Sequence, residues 1–241
     1  MIRRHLKSIN IFHQTKSQAQ ALTPQTHFTP QSTPLSTLNN PLNMRVPYVP
    51  NPPPTKTDEE AAIVQRIAAR RAPRPLQALD LALLHSPPVA DGWNAFLGAV
   101  RTRTLLADGL RELAICRVAV CNAAWYEWGH HAPLAAAAGL GPRALEVVKT
   151  GDLSDVGEEE RRGAEEDGLG GKEWAVLRYA DEMTRLVRVS DAAFEGLRGV
   201  CDEREVVEVT AITAAYNCVS RFLVALDVGE RNATGPEDVK H

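Results

Sequence analysis

Between Ala123 and Leu140 the chain carries a single formal charge, Glu127, and packs three of its eight Trp and Tyr side chains into Trp125-Tyr126-Glu127-Trp128-Gly129-His130-His131. A helix that is apolar nearly all round is a buried helix, and burying an ionisable group is costly unless it is paired or used. This stretch therefore requires a helical core built around it. Glu127 and His131 are four apart and stack on one helical face, which the sequence continues as Ala124, Leu134 and Ala138. An acid and a base on a core-facing stripe are candidates for proton transfer. The bland alternative is an ordinary solvated helix pair, against which the flanking aromatics and the Ala-rich continuation argue. His130 points away from Glu127 but can share the site.

The rest of the sequence reads as helices too. Prolines 47, 50, 52, 53 and 54 form an extended stretch that cannot continue a helix. Thr57 before Asp58, Glu59 and Glu60 is an N-cap with acids in the first turn, which starts a helix to about Arg71. Further helices are expected at 76–84, 89–106, 110–121 with Asp108 as cap, and 123–139 ending at Gly139. Pro142 opens another, to about 150. The last three are 172–187, 191–200 with Ser190 as cap, and 202–228. No alternating strand pattern or Asn-Gly hairpin occurs. The fold class is all-α, with about eight helices.

Residues 151–171 hold six glycines and eight acids against two arginines, and this reads as a solvated polar loop without chemistry. Residues 1–57 hold six Lys or Arg and no acid. They read as a disordered basic leader: a transit segment to the mitochondrion, an untargeted tail of a cytoplasmic protein, or a start placed too early, with Met44 as the true one. The domain is then 58–229, followed by a tail from 230 to 241.

A net charge of −3 gives no reason to expect nucleic acid as a partner. No stretch approaches the roughly 18 uncharged apolar residues of a membrane span, so no membrane partner is expected. Cys116, Cys121, Cys201 and Cys218 read as reduced, buried small hydrophobes. No metal or other cofactor is expected, because only His130 and His131 cluster, without a third ligand at zinc-site spacing. A faint echo relates Arg111-Glu112-Leu113-Ala114 to Arg204-Glu205-Val206-Val207, 93 positions on. It sets Ser220 against Glu127, and Val224 against His131.

Two segments carry a family resemblance. Arg111-Glu112-Leu113-Ala114-Ile115-x-Arg117-Val118-Ala119, followed by Tyr126-Glu127-Trp128-x-His130-His131, resembles the carboxymuconolactone decarboxylase family of the AhpD-like superfamily. Tyr216-Asn217-x-Val219-Ser220-Arg221-Phe222-Leu223 is similar to the last helix of such proteins. The resemblance runs from about Met44 to about Gly229. It implies an AhpD-like helical bundle that is oligomeric, a homotrimer or hexamer whose only other partner is a small-molecule substrate.

The resemblance also implies a site. Its alkylhydroperoxidase branch uses Glu, C-x-x-C and His; here those positions are Glu112, Ala124, Glu127 and His131, so both thiols are absent. Without an attacking thiolate there is no peroxide reduction by that route. The decarboxylase branch works by acid–base residues, which Glu127 and His131 supply, with Glu112 and His130 as further catalytic candidates. Loss of carbon dioxide beside a carbonyl leaves an enolate that needs a proton, and a histidine oriented by a carboxylate can deliver it. Arg117 can hold a substrate carboxylate or form a structural ion pair. Trp128 and Tyr126 are the remaining candidate substrate-binding residues. The expected function is a cofactor-independent decarboxylase or lyase acting on a small carboxylate or lactone. The alternatives are an alkylhydroperoxidase activity and a non-catalytic oligomer that binds a small ligand.

Overall fold

Ten α-helices and two short 3-10 turns make up the described residues, 44–238, in a computed structural model, and no strand occurs among them. The expectations for residues 1–43 lie outside the described residues. The helices are α1 (Asp58–Arg71), α2 (Ala78–Leu83), α3 (Pro87–Thr102), α4 (Asp108–Cys121), α5 (Trp125–Ala137), α6 (Pro142–Lys149), α7 (Glu158–Glu166), α8 (Gly171–Leu186), α9 (Asp191–Arg198) and α10 (Glu203–Leu226).

Local chemistry sets most of the boundaries. The hydroxyl of Thr57 accepts from the Glu60 N–H and that of Ser190 from the Ala193 N–H, while Asp202 and Glu205 cap α10 reciprocally. Asp108 is the first residue of α4 rather than its cap, and its carboxylate pairs with Arg111 at 2.8 Å. Pro142 opens α6, and Gly139 ends the preceding segment at a φ of 109°. The turn from α4 to α5 uses the same device without glycine. Ala123 adopts a φ of 51°, the Ala124 N–H reaches the Ala119 carbonyl and the Ala123 N–H the Val120 carbonyl. This is a Schellman turn, with an alanine bearing the left-handed strain.

Helix α4 is the axis of the fold. It packs against α5, α6, α8 and α10, and every residue from Glu112 to Ala119 is buried. Helix α10 is long and apolar enough, by length and composition, to cross a membrane, although charged residues lie within it. It instead lies against α3, α4 and α8 and buries Thr213, Tyr216 and Ser220 among its apolar residues, so it serves as a core helix. A smaller cluster of Ile63, Ile67, Leu83, Leu84 and Ala90 ties α1 and α2 to α3.

Three expectations from the sequence need correction. The segment 151–171 is not wholly loop: it contains a 3-10 turn and α7, whose Gly157 N–H is capped by Glu160 and whose first turn is acidic. Ala164 of that helix is fully buried. Residues 44–57 are not a disordered leader. Met44 is in the core, the Arg45 N–H donates to the Leu226 carbonyl, and the Tyr48 hydroxyl donates to Glu230 while accepting from the Gly229 N–H. The tail is tied down as well, with Asn232 donating to the Val224 carbonyl at the end of α10.

The third correction concerns the stripe on α5. Ala124, Glu127, Trp128, His131, Ala132 and Ala135 face inward, whereas Leu134 and Ala138 are exposed. The buried line runs on from His131 to Ala135 at a step of four, and the step of three from His131 to Leu134 turns out of it.

Candidate active site

Helix α5 delivers Tyr126, Glu127, His130 and His131 to one pocket of about 70 Å³. Its apolar wall comes from Trp93 and Leu97 of α3 and from Val219 and Leu223 of α10, with Tyr216 beside the histidine. The Tyr216 ring meets the His131 ring edge-on, with centroids 5.0 Å apart. Arg70 and Arg71 of α1 and Arg101 of α3 complete the lining. Arg71 is consumed by a bidentate bond to buried Asp80, at 2.7 Å for each nitrogen. Arg70 and Arg101 form no ion pair among the described residues. The pocket therefore presents two uncommitted guanidinium groups to an anion.

The partner of His131 is not Glu127. His131 Nδ1 lies 2.5 Å from Glu112 Oε2, across the α4–α5 contact, in a buried pair. Burial pushes Glu112 upward, but the hydrogen bond and charge of His131 outweigh it and hold the carboxyl below its ordinary value. Burial pushes His131 down, and the Glu112 bond only partly offsets this. The pair is thus an ionised carboxylate accepting Nδ1–H from a neutral imidazole, which leaves Nε2 as the ring's basic atom.

Glu127 behaves differently. It is 2% exposed, and Ser220 donates to its Oε2 at 2.9 Å. Its Oε1 has no hydrogen-bond partner among the described residues. Burial drives its carboxyl well above the usual range, and the Ser220 bond opposes this only weakly. With Oε2 accepting from the serine, the acid proton belongs on Oε1, the oxygen with no partner. Positions 127 and 220, set against each other by the 93-residue echo, thus meet in space.

The other predicted residues divide. His130 is exposed at the pocket edge, its Nδ1 2.7 Å from the Tyr126 carbonyl and its ring centroid 4.4 Å from that of Tyr126. Tyr126 lines the pocket and is backed by Gly229, at a φ of 77°, where an added Cβ would lie 2.2 Å from the ring. Only glycine allows the C-terminal segment to pass so close. Trp128 is buried in the core and does not line the pocket. Arg117 is no substrate clamp. It is fully buried, bonded to Asp181 through Nε and a terminal nitrogen at 2.9 and 2.6 Å, and to the Val148 and Thr150 carbonyls at 2.7 and 2.6 Å. Its acid partner, Asp181, lies 64 positions away on α8.

Arg70, Arg101, Tyr216 and Ser220 were not singled out as site residues by the sequence. Among the described residues no group of three or more His, Cys, Asp or Glu could hold a metal ion. Cys116 and Cys121 are poorly suited to attack: burial pushes Cys116 well up and Cys121 up to about 11.

No family model matches the chain, and no curated protein matches it in sequence. Solved structures do match its fold. One is the alkylhydroperoxidase AhpD core of an uncharacterized peroxidase-related protein from Ralstonia eutropha JMP134, with a TM-score of 0.56 and 20% identity over 77% of this chain and 90% of that one. The fold is AhpD-like. A second match, an uncharacterized peroxidase-related protein from Silicibacter sp. TM1040, gives a TM-score of 0.58 and 16% identity over 75% of this chain and 92% of that one. The AhpD-like scaffold here carries glutamate and alanine, not cysteines, at 127 and 124.

Proposed function

We propose that the pocket is a cofactor-independent acid–base active site that decarboxylates, or otherwise transfers protons on, a small carboxylate or lactone. The reading is carried by one observation: a hydrogen-bonded Glu112–His131 pair stands beside a second buried carboxyl, Glu127, whose Oε1 has no partner among the described residues and whose charged form burial disfavours. Two titratable groups pushed in opposite directions by their surroundings are the usual mark of an acid and a base. In this reading Arg70 and Arg101 draw in the anionic substrate, and the apolar wall favours loss of its charged carboxylate as neutral carbon dioxide. His131, oriented by Glu112, and Glu127 share the proton transfers at the enolate. An assay of carbon dioxide release from a panel of small carboxylated lactones and β-keto acids tests it. The expected result is turnover that Glu127→Gln lowers by about two to four orders of magnitude. Turnover unchanged in folded Glu127→Gln protein would contradict the assignment.

Peroxide reduction is the second reading, favoured by the fold neighbours, which are peroxidase-related proteins. It requires Cys116 or Cys121 to act as a thiolate. Peroxide consumption driven by a dithiol and abolished by Cys121→Ser would support it over the first.

Self-association is proposed alongside. Leu134, Phe96 and Leu105 are 42, 50 and 76% exposed, large apolar side chains that a second copy of the chain would cover. Sedimentation showing a stable monomer at micromolar concentration would contradict this.

A further inference from the structure

Two tyrosines are buried, Tyr179 and Tyr216. The Tyr179 hydroxyl shares a hydrogen bond of 2.9 Å with Thr210, as buried polar groups do. The Tyr216 hydroxyl has no hydrogen-bond partner among the described residues. Nor is it sealed from the pocket. The sealed side-chain atoms without a partner are Asn94 Oδ1 and Glu127 Oε1, so the 2% of Tyr216 that is exposed includes its oxygen, on the wall of the pocket that holds Glu127. Packing gives no reason for that oxygen, because phenylalanine fills the same volume with no polar atom to desolvate. The ring lies edge-on to His131 in a buried setting, so close packing rather than a hydrogen bond fixes where the oxygen sits.

We infer that the Tyr216 hydroxyl is the oxyanion donor of the site, bonding the substrate oxygen on which the enolate charge collects. This rests on the decarboxylase reading and adds the group that holds its intermediate. When the carbon–carboxylate bond breaks, its electron pair forms the carbon–carbon double bond of the enolate. The carbonyl π pair moves onto oxygen, and carbon dioxide leaves neutral. The new charge on oxygen is stabilised most by a donor fixed in place before the reaction. Burial pushes the Tyr216 phenol well above its ordinary value, and the Arg101 charge only partly offsets this. Tyr216 therefore stays a donor throughout the neutral range and gives up no proton. The proton of the new carbon–hydrogen bond comes from the acid–base groups of the pocket and is restored from water between turnovers.

Tyr216→Phe tests this in the full chain with two small anions. Oxalate has a planar O–C–C–O frame that copies an enolate beside a carboxylate, whereas propionate offers the arginines a carboxylate alone. Calorimetric titration is expected to show oxalate bound about tenfold or more weakly by the variant, and propionate changed by less than about twofold. In the carbon dioxide assay the variant is expected to lose about 100-fold or more in kcat, with KM changed by less than about threefold. It melts no lower than the wild type, since it loses no hydrogen bond and keeps the ring against His131. Oxalate that binds both proteins alike, or that fails to bind the wild type, overturns the inference. So does an equal loss of affinity for both anions, or turnover unchanged by the substitution. Absence of carbon dioxide release from the wild type removes the decarboxylase reading, and the oxalate comparison still decides whether Tyr216 receives an oxyanion.

Discussion

Glu112 and His131 are 19 positions apart on different helices, yet their side chains meet at 2.5 Å inside the core. Their union depends on the Schellman turn at Ala123, which folds α5 back along α4 so that a residue one turn into α4 faces one in the second turn of α5. The charged carboxylate has almost no contact with water, so its bond to the imidazole is worth far more than a surface pair.

If the two act as a unit, Glu112→Gln and His131→Ala each lower turnover by about two to four orders of magnitude. The double variant is then little worse than the poorer single one. Steady-state kinetics on all three, with thermal melts to confirm folding, check this. Additive losses would mean that the residues act separately. His130→Ala, at the exposed rim, costs much less.

Glu127→Gln makes the protein more stable while lowering its activity. The folded carboxyl titrates well above the ordinary value because burial disfavours its charge. The contribution of the neutral acid is therefore fully present below the unfolded-state value of 4.5 and is lost as pH rises through the folded one. Above that window the wild type bears a strain that the uncharged glutamine lacks. The gain in melting temperature on substitution grows from pH 5 to pH 8. A gain that stays flat over the same range would show that Glu127 is already ionised in the folded protein at pH 5.

Arg117→Met tests the structural role of the fully buried guanidinium. The change strands Asp181 and removes the donors to the Val148 and Thr150 carbonyls, so chemical denaturation is expected to show a loss of about 3 kcal/mol or more. Folded protein keeps its affinity for an anionic ligand of the pocket. Lost affinity with unchanged stability would restore Arg117 as a substrate-binding residue.

What could be read from the sequence follows the range of the interactions. Thr57, Ser190, Asp202, Gly139 and Pro142 act on their own helix ends, and each boundary they mark is where the structure puts it, to within a few residues. The segment 151–171 misled because glycines and acids also make a capped, acid-started helix, and only the burial of Ala164 against the rest of the fold distinguishes the two. Glu127 and His131 were legible as ionisable groups in an apolar helix. Their partners were not, since Glu112 and Ser220 come from other helices and helical spacing speaks only of neighbours three or four apart. The echo that aligned Ser220 with Glu127 held that contact, but two matched residues did not identify it as one. Arg70 and Arg101 sit on amphipathic helices where arginine is ordinary, and only the fold turns them toward the pocket.

The protonation state of Glu127 bears most directly on the proposed chemistry, and infrared difference spectroscopy between wild type and Glu127→Gln measures it at pH 7. A protonated carboxyl C=O band present in the wild type and absent from the variant is the predicted result. A carboxylate pair of bands in its place, with no protonated carboxyl lost on substitution, would contradict the assignment of Glu127 as the site's acid.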